Sequence, residues 1–335
     1  MTRRLRAALA MGRDMPDKLF SHADRARMER LCNLTSIVLT DFCSAEAIRV
    51  LGDIDVLITG CGAPVVDEHV LDRAPSLRVI LDVTDCAKSR VDRVCWERGL
   101  TVTTAADANA RPVAEYTLAS ILLAGKNVPA LRHRYATERR ALDPAADHPD
   151  IGNAGRSVGI VGASRVGRRV LDLLRWHDLT VFVYDPSLDP AVATALGAHA
   201  VTLEDLLVRS SVVSVHAPEV AQTDHLLDRR RLGLLGNGST LIHTARPALV
   251  DFAALTDELV SGRINAFLDV TEPDVPPAGS PLYELPNVVL TPHLSGPLGN
   301  ELTRLGGSVV DELQRLAQGR PLRCAVSPAD LDHIA

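Results

Sequence analysis

Arg156-Ser-Val-Gly-Ile-Val-Gly162-Ala-Ser-Arg-Val-Gly167, with Val181-Phe-Val-Tyr-Asp185 downstream, decides how this chain folds. An apolar run, Val158 to Val161, stops abruptly at Gly162. Val170, Leu171, Leu173 and Leu174 then recur at helical spacing, and a second β-rich run, Thr180 to Tyr184, closes on Asp185. Strand, tight turn, helix, strand and acid in that order make a dinucleotide-binding βαβ unit. Gly162 turns the chain sharply off the strand, and the free N–H groups opening the helix meet a pyrophosphate. Asp185 can accept both hydrogen bonds of an adenosine ribose and would repel a 2′-phosphate, which favours NAD over NADP. Ser164 stands where a second glycine is usual. It is small, and its hydroxyl can itself bond a phosphate.

A length of 335 residues suggests two domains, and a 46% hydrophobic content fills two cores, which at 3% aromatic are aliphatic. A net charge of −6 gives no basic footprint for nucleic acid. The apolar stretch after Met1-Thr-Arg-Arg is too short for a signal peptide and reads as a first strand or helix. No run is long enough to cross a membrane. The six cysteines (32, 43, 61, 86, 95 and 324) show no CxxC and no metal-ligand spacing. They read as reduced, mostly buried thiols of a cytoplasmic protein.

Upstream of the βαβ unit, Ser36–Thr40, Asp55–Thr59, Leu77–Leu81 and Leu100–Thr103 read as parallel strands. Helices near 22–33, 44–51, 66–74 and 88–98 alternate with them, giving a small doubly wound α/β domain. Residues 105–124 read as a buried crossover helix with Pro112 in its first turn, and 137–155 as a polar surface connection. Past Asp185 the strands are Val212–Val215, Thr240–Thr244, Ile264–Val270 and Val288–Thr291, with helices near 203–209, 228–235 and 251–261. Residues 274–281 form a proline-rich loop, and 299–319 one amphipathic helix that crosses back to the first lobe.

Three stretches sit at strand ends in the second half. They are His243-Thr-Ala-Arg246, Leu268-Asp-Val-Thr-Glu-Pro-Asp274 and Thr291-Pro-His-Leu-Ser-Gly296. Carboxyl ends of strands are where open α/β sheets bind ligands. An arginine there can hold a substrate carboxylate in a bidentate fork. A histidine can exchange a hydroxyl proton while hydride moves, and an acid beside it orients and charges the imidazole.

With Asn109-Ala-Arg-Pro-Val-Ala-Glu115, Val215-His-Ala-Pro218 and Leu249-Val-Asp251 added, the chain resembles the D-isomer-specific 2-hydroxyacid dehydrogenases (the phosphoglycerate dehydrogenase-like group) over nearly its whole length. The resemblance implies two doubly wound parallel-sheet lobes. A flavodoxin-like substrate domain would comprise residues 1–109 and 297–335, and an inserted Rossmann NAD-binding domain residues 110–296. It implies Arg246 as carboxylate anchor and His293 as general acid/base. Asp269 would hold the nicotinamide carboxamide, and Arg165 and Val166 would lie along the pyrophosphate. Thr244, His216, Pro218 and Gly296 would line the cofactor. Asp85, Cys86 and Asn109 would face a small 2-oxo or 2-hydroxy acid. The implied assembly is a homodimer through the Rossmann lobe, with no nucleic-acid or membrane partner.

Two positions depart from the family pattern. The acid that pairs with His293 falls by register on Asp274, with Glu272 as the alternative. The substrate-carboxylate loop reads Asp82-Val-Thr-Asp-Cys-Ala-Lys88, with Asp85 near the expected glycine. Either Asp85 turns outward and caps the following helix, or it faces the site, where Lys88 or another cation would offset its charge or the substrate is less anionic or carries an amine, with Arg111 adding positive charge to the same cleft. The activity expected is NAD-dependent hydride transfer between nicotinamide and a 2-oxo acid. The alternative is an NAD-sensing, corepressor-like binding protein on the same fold.

Overall fold

The computed structural model describes residues 3–331. Among these the strands in chain order are β1 Leu5–Ala10, β2 Cys32–Leu39, β3 Val56–Thr59, β4 Val79–Asp82, β5 Thr101–Thr103, β6 Arg156–Val161 and β7 Leu179–Tyr184. They continue as β8 His199–Ala200, β9 Val212–Val215, β10 Thr240–His243, β11 Asn265–Leu268, β12 Val288–Leu290 and β13 Ala325–Val326. The chain divides into two compact units, one of residues up to Ala110 and from Pro297 on, the other Arg111–Gly296.

In the first unit the sheet order is β13-β5-β4-β3-β1-β2. Its parallel part is the 2-1-3-4-5 order of a flavodoxin-like sheet. β3 and β4 are buried along their whole length, so they read as continuous apolar runs rather than alternating ones. Alternate side chains feed two cores: Leu57, Ile80 and Val102 on one face, Val56, Ile58 and Leu81 on the other. The helix Leu302–Ala317 closes the second core, burying Leu305, Val309, Val310 and Leu313 with Leu19 and Met28. On the same helix the buried Glu312 accepts the N–H groups of Arg323 (2.8 Å) and Cys324 (3.1 Å), which leads the chain into β13.

The second unit has the order β12-β11-β10-β9-β6-β7-β8, all parallel. Counted from β6 this is the Rossmann order 3-2-1-4-5-6 with one strand added. Its register is what positions the site. Val161 pairs with Tyr184 and with Val215, Val215 with His243, His243 with Leu268, and Leu268 with Leu290. The residues that follow these strand ends are Gly162, Asp185, His216, Thr244, Asp269 and Thr291, so all six leave the sheet along one edge.

Several expectations are corrected. Pro112 lies well inside its helix, Ala106–Gly125, rather than in the first turn. A proline there removes one backbone bond, and the burial of Ala110, Val113, Ala114 and Ile121 around it holds the helix together. The helix expected over 88–98 shrinks to Val94–Glu97, with Arg93 at its N-cap, so Asp85 does not cap it. A helix at Val128–Glu138 was not foreseen; it buries no residue and therefore shows no apolar period to read. β13 runs antiparallel to β5. The tail helix begins with a 3-10 turn, Gly299–Glu301. Only Cys32 and Cys95 of the six cysteines are buried, since Cys43 and Cys61 sit on exposed loops after β2 and β3. No helix of the described residues is long and apolar enough to cross a membrane.

Removing the Glu312 carboxylate strands two backbone donors. Glu312→Ala is expected to lower stability by about 2 kcal/mol, read as a shift in the urea midpoint, with Glu312→Gln retaining part of it.

Candidate active site

The glycine turn is built by close approach. Gly162 has φ +97°, and a Cβ on it would lie 2.4 Å from the backbone nitrogen of Ala217. A Cβ on Gly167 would lie 2.1 Å from the Gly162 carbonyl oxygen, so the helix Arg165–Leu174 sits directly against the turn. Ser164 is the N-cap of that helix, its Oγ accepting the Gly167 N–H at 3.4 Å. Capping uses a lone pair and leaves the hydroxyl proton for an oxyanion. Arg168 Nε donates to the Ala163 carbonyl at 2.9 Å and braces the turn from behind.

Asp185 is fixed by two backbone donors, Ala163 N–H to Oδ2 and Ser187 N–H to Oδ1, both at 2.8 Å. Each oxygen keeps a lone pair for a ribose hydroxyl, and the negative charge opposes a 2′-phosphate. A cradle that a Cβ would fill, an open helix N-terminus and an oriented carboxylate suit a dinucleotide such as NAD. Arg165 is exposed and Val166 half-buried on the first turn of the helix.

Along the same edge, His216 is buried and its Nε2 lies 2.8 Å from Ser214 Oγ. Burial, with His243 adding to it, pushes its pKa down to about 3. His243 is also buried, and burial pushes it down to about 4, partly opposed by the carbonyls of Arg246 and Pro247. Neither of its ring nitrogens has a well-formed hydrogen bond among the described residues. Both imidazoles are therefore neutral at pH 7. Thr244 Oγ1 lies 3.3 Å from Thr117 Oγ1, and Pro218 is held through its carbonyl by Thr223 Oγ1 at 2.6 Å.

Asp269 organises the remaining corner. Its buried carboxylate accepts from Thr291 Oγ1 (2.6 Å), Leu294 N–H (2.8 Å) and Ser295 N–H (2.8 Å). Its carbonyl accepts the His293 N–H at 3.1 Å. Tyr116 O–H reaches Thr291 Oγ1 at 2.9 Å, and burial raises the phenol pKa. Tyr116 was not singled out in the sequence, and Thr291 and Ser295 stood there only as members of the His293 stretch, with no role of their own. Only their position beside Asp269 reveals them.

His293 is exposed, with φ +52°, a conformation that costs a non-glycine residue about 1 kcal/mol and that clusters at functional positions. Among the described residues no hydrogen bond or ion pair joins it to Asp274 or Glu272, both exposed in the turn after β11. That turn is tied by Thr271 Oγ1, which donates to the carbonyls of Pro273 (2.8 Å) and Asp274 (3.1 Å). Asp274 lines a cavity of about 400 Å³ with Arg132 and Thr271. Arg246, half-buried, is the N-cap of the 3-10 turn Pro247–Leu249 that follows β10. Gly296 ends the same loop as His293, with open space where a Cβ would stand.

In the first unit, Asp85 and Cys86 lie half-buried in the loop after β4, and Asn109 on the first turn of Ala106–Gly125. The cation seen paired in that loop is Arg90. Its Nε lies 3.0 Å from the buried Asp82 carboxylate, and its Nη2 donates to the Cys86 carbonyl at 2.6 Å. Burial works to lower the Arg90 pKa, but Asp82 outweighs it, with Asp85 contributing in the same direction, and the pKa is raised. Arg111 pairs instead with Glu115 along its own helix at 2.8 Å. No cluster of three or more His, Cys, Asp or Glu among the described residues could hold a metal ion.

Comparison with known proteins identifies the family. Residues 118–295 match the NAD binding domain of the D-isomer specific 2-hydroxyacid dehydrogenases. The D-3-phosphoglycerate dehydrogenase of Mycobacterium tuberculosis is 34% identical over 272 residues, 79% of this chain and 50% of that one. A glyoxylate reductase of Aeropyrum pernix is 30% identical over 261 residues, 76% of this chain and 78% of the other. A crystal structure of a phosphoglycerate oxidoreductase from Rhizobium etli superposes with a TM-score of 0.83 at 24% identity, covering 96% of this chain and 98% of that one. The chain belongs to the D-isomer specific 2-hydroxyacid dehydrogenase family. It spans about half the length of the phosphoglycerate dehydrogenases it matches.

The buried histidines set a pH dependence. Their folded pKa values, about 3 and 4, lie below the unfolded value near 6.5. Between these limits the unfolded chain binds more protons, so stability is complete above about pH 6.5 and falls as the pH drops, by up to about 1.4 kcal/mol per pH unit per imidazole. Urea midpoints measured from pH 7 to pH 5 should show this slope, and His243→Gln should flatten it.

Proposed function

We propose that the protein is an NAD-dependent oxidoreductase that transfers hydride between nicotinamide and a 2-oxo or D-2-hydroxy acid. The observation that carries this reading is the in-register row from Gly162 to Thr291, which brings the glycine turn, Asp185, Thr244 and the Asp269-anchored His293 loop to one sheet edge. Nicotinamide, when bound, supplies or accepts the hydride. Arg246 holds the substrate carboxylate through its guanidinium fork, which also draws electron density from the neighbouring carbonyl. His293 gives the alcohol oxygen its proton in reduction and removes it in oxidation. Asp274, or Glu272 beside it, orients the imidazole once the site is loaded, since catalytic hydrogen bonds often tighten only in the reactive complex. Asp269 holds His293 in place through the loop backbone and would hold the carboxamide of the cofactor. Asp85 in the substrate loop would favour a substrate less anionic than a phosphorylated acid, or one bearing an amine.

Oxidation of NADH, followed at its absorbance band with glyoxylate, pyruvate, hydroxypyruvate and amine-bearing 2-oxo acids, tests the assignment. His293→Ala should lower kcat by about 100-fold or more with NADH affinity retained, and undiminished turnover would end the assignment. Of Asp274→Asn and Glu272→Gln, the variant with the larger loss identifies the orienting acid. Tight NADH binding without oxidation of any acid, together with an NADH-dependent protein partner, would support the corepressor-like alternative.

The assembly we propose is a homodimer through the second unit, in the cytoplasm, where six free thiols stay reduced. The helix Val128–Glu138 supports it, for it buries nothing and leaves Tyr135 64% exposed. Light scattering should report twice the 36.0 kDa chain mass, and Tyr135→Glu should shift it toward the monomer.

A further inference from the structure

The opposite edge of the second sheet carries a cavity of about 380 Å³ at the amino ends of β6, β9, β10 and β11. It is a strand length, about 16 Å, from the row that leads to Thr244 and Asp269. Its lining is dominated by side chains that donate hydrogen bonds. Arg156 opens β6 and Arg209 precedes β9, and among the described residues neither has a carboxylate within ion-pair distance. Several other arginines of this unit do take acids: Arg134 with Glu138 and Asp147, Arg229 with Asp257, Arg263 with Glu258.

Arg156 is oriented by the loop before it. Its Nε donates to the Gly152 carbonyl at 2.6 Å, its Nη2 to the Asp150 carbonyl at 2.5 Å and its Nη1 to Ser211 Oγ at 3.3 Å. A guanidinium has five N–H donors, so two remain. Arg209 is held over the Phe182 ring, 4.1 Å from its centroid. Two further hydroxyls line the cavity, those of Ser210 and Ser239, which are 3% and 4% exposed and have no hydrogen-bond partner among the described residues. Buried hydroxyls without partners are costly and rare. Gly159 makes room for one of them, since a Cβ there would lie 2.6 Å from Ser210 Oγ. His148 lines the same wall, its ring bonded to Asn127 at 3.2 Å. The one acid in the lining is Asp150.

We propose that this cavity is a binding site for a phosphate group, distinct from the cofactor cradle and held by Arg156, Arg209 and the hydroxyls of Ser210 and Ser239. Two guanidinium cations and two unpartnered hydroxyls lining one cavity match the acceptor-only surface of a tetrahedral oxyanion. The group is either free inorganic phosphate or the headgroup of a small phosphomonoester. The site is independent of the proposed dehydrogenase activity.

The test is titration of the full chain with inorganic phosphate and, separately, with glycerol phosphate, following the amide resonances of Gly238 and Ser239 against those of Gly162 and Gly167. Shifts at Gly238 and Ser239, with or without NADH, are expected. Calorimetry should then show Arg209→Ala and Ser239→Ala weakening phosphate about tenfold or more, and Arg229→Ala leaving it unchanged. Ser239→Ala keeps the test sound if an arginine variant loosens the fold. Preference for glycerol phosphate would make the ligand a phosphomonoester, and equal or weaker binding the free ion. Shifts confined to Gly162 and Gly167, no binding at millimolar phosphate, or equal losses in Arg229→Ala and Arg209→Ala would overturn the proposal.

Discussion

Parallel pairing without slippage across β6, β7, β9, β10, β11 and β12 is the constraint on which the second unit depends. In a sheet buried on both faces, a one-residue slip would swap every side chain to the wrong core. Core packing thus fixes the register, and the register fixes where each strand ends. Because the strands end together, Gly162, Asp185, His216, Thr244, Asp269 and Thr291 emerge in one line, although they are spread over about a hundred and thirty residues of sequence. The hydrophobic cores therefore do positional work for polar groups that contribute little to them.

Asp269 shows how one buried charge converts that alignment into a shaped loop. A carboxylate desolvated this deeply persists only with strong donors around it, and here they are two backbone N–H groups and a threonine hydroxyl of the 291–295 segment. Satisfying the acid and holding His293 in its left-handed conformation are one event. The neutral His216 and His243 behave differently. They bring bulk and hydrogen-bonding capacity to the sheet edge without adding positive charge, because burial has removed it. In the first unit, Arg90 neutralises Asp82 and ties down the loop that carries Asp85. That loop is thus ordered, with its acids balanced by cations.

Local patterns made much of this legible. The abrupt end of an apolar run at Gly162, the helical spacing of Val170 to Leu174 and the acid at Asp185 are short-range features, and each has a physical reason to be where it is. Alternation of apolar runs with helical spacings was enough for two doubly wound sheets. Where packing left no imprint, the reading failed. Val128–Glu138 buries nothing and so has no apolar stripe, the short β13 is defined by its partner β5 and by Glu312, and Pro112 reads as a helix start only while the burial around it is unseen.

By itself the sequence determined the class of fold, the glycine turn with its acid, and the residue types, arginine, histidine and carboxylate, that stand near the strand ends, because these follow from spacing and side-chain chemistry. Tertiary structure alone decided which groups share an edge, that Ser164 caps a helix, that Arg90 pairs with Asp82, and that Asp269 is bound to the loop of His293. It also left two arginines and two buried hydroxyls facing a cavity at the far edge of the same strands. These are matters of register and burial between distant segments, and a linear chain carries no local signal for either.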